Sequence, residues 1–151
     1  RISPEWFGQL NYDRSQRLDF RMVLGGGART AFASGEWGEF GMGASLVLEH
    51  EALNLAEDAL HPINTSTLRW SSFLTLRVVP TEDFVITSTT YMQPKYDDFN
   101  DLRMLGKIRL ATPVTDELAL TISFNMRYDS GPPDGISALD TTLRTGITYV
   151  Y

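Results

Sequence analysis

His50 and His61 are the only imidazoles in the chain, and Asp58 and Ser66 lie close to them in sequence. A serine, a histidine and an acid are the raw material of acyl transfer, in which the ring takes the serine proton and the acid orients the ring. Nothing in this spacing fixes such a geometry, and polar side chains fill most loops. Zinc held by His50, His61 and Glu49 or Glu51 would need ligands spaced too widely to be diagnostic. Asp97-Asp98-Phe99-Asn100-Asp101 offers the oxygen ligands that calcium takes, but without the loop pattern of an EF-hand. It reads as a solvated hairpin tip. Asp129-Ser-Gly-Pro-Pro-Asp-Gly135 reads as a rigid turn, because proline fixes φ and glycine accepts positive φ. Gly25-Gly26-Gly27 precedes no helical pattern and is therefore no phosphate loop. The chain has no cysteine, which removes disulfides and thiol chemistry. The expectation is no catalytic residue, no metal and no cofactor.

The charged residues carry a clearer message through their positions. Asp19, Arg21, Glu49, Arg69, Asp101, Arg103, Arg109, Arg127, Asp129, Asp140 and Arg144 stand in segments where polar and apolar residues alternate. In Leu118–Asp129 the even positions are Leu, Leu, Ile, Phe, Met and Tyr, and the odd ones Ala, Thr, Ser, Asn, Arg and Asp. A period of two makes a β-strand with one apolar and one polar face. The pattern recurs around Trp6–Tyr12, Leu18–Gly25, Phe40–Glu49, Leu68–Val78, Phe84–Met92, Leu102–Leu110 and Asp140–Tyr151, which makes eight strands. Each is about ten residues or more, the length a tilted strand needs to cross a bilayer. The best helical candidate is Glu51–Leu60, in the longest loop.

Connections sort by length. Those near Ala33–Glu36, Pro80–Asp83 and Thr112–Glu117 are short, whereas His50–Ser66, Pro94–Asn100 and Ser130–Ala138 are long. Only the turn at Asp13–Arg17 is short among the long ones. Short turns at one end and long loops at the other are the profile of an outer-membrane barrel. The expected fold is an all-β, antiparallel, up-and-down transmembrane β-barrel, a single domain over 1–151.

The polar faces mix Gly, Ser, Thr and Asn with charges of both signs, as a packed polar lumen requires. The apolar faces carry Trp6, Tyr12, Trp70, Tyr128, Tyr149 and Tyr151 as a candidate aromatic girdle. Two lysines stand against eleven arginines, unlike an ordinary solvated surface. A soluble lipocalin-like binding barrel with its apolar faces inward fits the alternation equally well, but calls for many exposed Lys and Glu on the polar faces. The net charge of −6 argues against nucleic acid as a partner. A last strand ending on Tyr149 and Tyr151 looks like the terminal signal that barrel assembly machinery reads.

Several stretches, taken in order, resemble the YdiY-like salt-induced outer-membrane proteins, a family of unknown function. They are Trp6-Phe7, Leu18-Asp19-Phe20-Arg21 before Gly25-Gly26-Gly27, Tyr91-Met92-Gln93-Pro94, Asp98-Phe99-Asn100-Asp101-Leu102-Arg103, Arg127–Gly135, Asp140-Thr141-Thr142 and Gly146-Ile147-Thr148-Tyr149. The resemblance implies a β-barrel in the bacterial outer membrane, in contact with its lipid. It brings no catalytic residues. It also implies strands before Trp6-Phe7, and so a barrel larger than eight strands. The functional expectation is a structural or stress-related envelope protein. The alternatives are a porin-like channel for small solutes and a lipid-modifying barrel enzyme using His50 or His61.

Overall fold

A computed structural model describes residues 2–14, 17–55, 60 and 62–149. The described residues form eight strands: β1 (Ile2–Asp13), β2 (Leu18–Gly35), β3 (Gly38–Leu53), β4 (Asn64–Thr81), β5 (Phe84–Pro94), β6 (Leu102–Pro113), β7 (Leu118–Asp129) and β8 (Leu139–Tyr149). They make one antiparallel sheet in which each strand pairs with its neighbour in sequence. Among the described residues no ladder joins β8 back to β1, so the sheet is open and has two free edges.

Alternation sets the strands, and register sets the faces. The row Trp6, Gly26, Leu46 and Trp70 runs across β1–β4 on one side, and the row Arg103, Asp129 across β6–β7 lies on the other. Odd positions of the middle strands point into a concavity lined by residues from β1 through β7. In β8, Asp140, Thr142 and Arg144 lie opposite inward residues of β7 and share their face.

The sheet curls where side chains are absent. Phe7 lies over Gly25 and Trp6 over Gly26, their partners in register, and a Cβ there would stand 2.3 and 2.5 Å from ring carbons. At Gly27 the obstacle is backbone: a Cβ would stand 2.2 Å from the Ala44 carbonyl oxygen. The glycine triplet thus admits close approach of β1 side chains and of the β3 backbone to β2.

Expectation and structure part at the longest loop. Glu51, Ala52 and Leu53 extend β3, with Glu51 opposite Thr65 and Ala52 opposite Asn64. Cross-strand pairing prevails there over helix propensity, which is marginal in so short a segment. Residues 56–59 of the expected helix lie outside the described residues. The long connections 54–63, 95–101 and 130–138 share one end of the sheet with 14–17, and the short ones 36–37, 82–83 and 114–117 share the other.

The polarity is inverted relative to a water-soluble domain. On the convex face Leu10, Leu74 and Ile147 are 68, 50 and 75% exposed, whereas inside the curve Glu49, Arg69 and Asp129 are 2, 4 and 4% exposed. Among the described residues the buried apolar side chains are Leu18, Val23, Val47, Leu53, Pro94 and Pro133.

Candidate functional site

At the long-loop end the inward positions of β2, β3, β4, β6 and β7 bring Arg21, Glu49, Glu51, Arg69, Arg103 and Asp129 together. Glu49 is the hub: Arg21 and Arg103 both donate to it, and Arg69 Nε lies 3.8 Å from it. Arg103 also grips Glu51 through two parallel bonds of 3.0 Å, and donates from Nε to Asp129 at 2.7 Å. Such bidentate, charge-assisted contacts are the strongest polar contacts a side chain makes. Arg21 reaches Glu51 at 3.4 Å. Arg69 turns the other way, to Asp101 Oδ1 at 2.8 Å and to the Gln93 and Asp101 carbonyls. The layer bridges β3 to β6, strands separated by two others, which only a strongly curved sheet allows.

Bordering this layer is a cavity of about 500 Å³, lined by Phe7, Val23, Val47, Phe73, Tyr91 and Leu105 together with Gln9, Ser45, Ser71 and Arg127, and by Arg21, Glu49 and Arg69 of the layer itself. Phe73 and Tyr91 meet at 5.5 Å between ring centroids. The inside of the curve is therefore stratified, with charge at the long-loop end and an apolar belt beneath it.

The expected polar residues are divided by the structure. Arg21, Glu49, Arg69, Asp101, Arg103 and Asp129 form the network. Asp19 does not: it falls at the register shift between Leu18 and Phe20, is exposed, and accepts a bond from Asn54 Nδ2 at 3.3 Å. Glu49 and Arg69 approach each other across β3 and β4, whereas the sequence neighbours Asp19 and Arg21, and Asp101 and Arg103, do not pair with each other. Residues two apart on a strand stand nearly 7 Å from each other, so the arginines pair across strands instead. Arg127 and Asp140 stand opposite each other one inward step from Asp129, Arg109 and Arg144 lie further along the same face, and the four make no ion pair with the described residues. Sequence reasoning missed Glu51 and the apolar belt. Glu51 continues the inward series Val47, Glu49, Glu51, and its assignment to a helical stretch concealed that.

Of the aromatic residues, Tyr12 and Tyr128 stand near strand ends on the long-loop side and Tyr149 at the opposite end. Trp6 and Trp70 lie within their strands, and Trp70 stacks on Tyr96 at 6.0 Å. Tyr151 lies outside the described residues. Trp37 and Phe32 both contact Phe40, adding an aromatic cluster at the short-turn end.

The chemistry first suggested by residue type resolves into structure. His50 belongs to β3 and meets its register partner Ser66 at 2.9 Å on the exposed face. His61 and Asp58 lie outside the described residues, and no acid among the described residues orients the His50 ring. Glu49 and Glu51 point inward while His50 points outward, so the three do not converge on one ion. In the acidic hairpin, Asp98 accepts from the Asn100 backbone at 3.0 Å, Asp97 faces Lys95 at 3.4 Å, and Asp101 holds Arg69. In the Asp129–Gly135 turn, Gly135 has φ of 78° and Asp129 Oδ1 accepts from Gly131 N at 3.0 Å.

A family model described as "Protein of unknown function, DUF481" matches residues 3–151. The comparisons with curated proteins and with solved structures found no match.

Proposed function

We propose, for a chain that belongs to the DUF481 family of proteins of unknown function, that it is an integral β-barrel of the bacterial outer membrane, structural or stress-related, without catalysis. The resemblance to YdiY-like proteins forms part of the same reading. The observation that carries it is the inversion of polarity: large apolar side chains exposed on the convex face, and buried ion pairs within the curve. Water cannot stabilise that arrangement, whereas hydrocarbon can. In lipid the free backbone groups of β1 and β8 must also be paired, with each other or with further strands. The concave face then becomes a lumen, and the Glu49 layer crosses it near the long-loop end. A sheet closed from these eight strands has an interior that side chains fill, which favours a plugged barrel over an open porin.

Refolding into lipid vesicles tests the reading. Ile122→Arg places a charge on the lipid face, at a cost of roughly 2–4 kcal/mol near the midplane. Thr121→Arg places it on the polar face. Refolding yield should fall for the first and hold for the second, and the reverse order would refute the proposal.

A further inference from the structure

The concave face toward β8 holds cations that the Glu49 layer does not use. Lys107 on β6 and Arg127 on β7 line a second cavity of about 460 Å³, with Thr89, Asn125, Thr142 and Asp140. Lys107 lies opposite Asn125 in register, so Arg127 is its diagonal neighbour. Arg109 and Arg144 flank Ser123 on a single row from either side. Among the described residues, neither the Lys107 side chain nor those of these three arginines has an ion pair or a side-chain hydrogen bond. Asp129, the nearest acid on Arg127's own strand, is taken by Arg103 and by Gly131 N.

Like charges on adjacent strands repel. Here four of them gather on one face of a chain whose net charge is −6. Asp140 is the one acid in the cavity wall. It stands opposite Arg127 in register without forming an ion pair, and leaves an excess of positive charge. Around the cations stand hydroxyl groups from Thr89 and Thr142 and an amide from Asn125, donors of the kind that complete the coordination of a tetrahedral oxyanion.

We propose that this cavity binds a phosphate-type oxyanion, with Lys107 and Arg127 as its principal cationic contacts and Arg109 and Arg144 raising the local potential. The site stands on the concave face alone, and is independent of whether the convex face meets lipid or water. A free phosphate and the phosphate of a lipid headgroup share this chemistry, and the experiment separates them.

Isothermal titration of the folded chain, held in an uncharged detergent, with inorganic phosphate should show saturable binding. Lys107→Gln with Arg127→Gln should weaken it at least tenfold. Asp140→Asn removes the competing carboxylate and should tighten it. Arg77→Gln, on β4 facing Glu39, should leave it unchanged. A merely structural role for these residues would not give opposite signs for the cationic and Asp140 variants. Heat-modifiable migration on gels confirms that each variant is folded. Micelles doped with a phosphate-headgroup lipid that abolish the phosphate isotherm identify the headgroup as the preferred source, and an unchanged isotherm identifies the free ion. Absence of saturable phosphate binding, or equal binding by the double variant, would overturn the proposal.

Discussion

Glu49→Gln is the substitution to which the fold should be most sensitive. The carboxylate is 2% exposed and receives Arg21 and Arg103, with Arg69 Nε at 3.8 Å. Glutamine keeps the volume and one acceptor oxygen but removes the charge. Three guanidinium groups would then converge on a neutral side chain, with only Glu51, Asp101 and Asp129 among the described residues left to pair with them. Arg69 Nε is buried without a hydrogen bond, so the nearby carboxylate charge is what offsets it. Removing one partner of a buried pair costs about 3–5 kcal/mol. With 1.4 kcal/mol per factor of ten, that is about two to three and a half decades in the folding equilibrium. The assay is urea unfolding of chain refolded into vesicles, read by gel mobility. Glu39→Gln is the control: on the same strand, exposed and outside the network, it should change stability by no more than about 0.5 kcal/mol. Arg21→Gln added to Glu49→Gln should recover part of the loss, because the two residues are coupled. Were Glu49→Gln within about 1 kcal/mol of the parent while folded, the ion-pair layer would not be what fixes the curve.

Gly27→Ala sets a Cβ against the Ala44 carbonyl and should cost about 1–3 kcal/mol, measured by the same unfolding assay; a neutral result would show that β2 and β3 do not pack this closely. In whole cells, single cysteines at Asn54 and Asp134 should react with an impermeant thiol reagent and one at Thr115 should not, since long loops face outward in such barrels; labelling at Thr115 alone would invert the topology. In planar bilayers the 151-residue chain should show no steady channel events, and sustained openings would favour the porin reading.

The strands were legible because their signal is local. Leu118–Asp129 alternates without a break, and its observed bounds match the pattern. Where alternation weakens, the ends blur: β2 runs on to Gly35 through small and mixed residues, held by pairing to β3 rather than by its own pattern. The inward charges were legible as a set, but not as pairs. Arg103 finds Glu49 and Glu51 more than fifty positions away, and that depends on how far the sheet curls, a property of all the strands jointly. Phe7, Val23, Val47 and Phe73 share the polar side of their strands, and one apolar residue in a polar series reads as noise. Only register shows that they converge on one cavity. The open edges are likewise invisible to a strand-by-strand reading, since pairing between the first and last strands leaves no local trace.

The central claim is that the convex, apolar face meets hydrocarbon. A nitroxide scan through β7 in lipid vesicles tests it most directly, comparing collisions with oxygen, which concentrates in the bilayer, and with a water-soluble nickel chelate. Labels at Ile122, Phe124 and Met126 should favour oxygen, and those at Thr121, Ser123 and Asn125 should not, giving a period of two. Even positions shielded from both reagents, with the odd positions open to the chelate, would place the apolar face in a protein core and contradict the account.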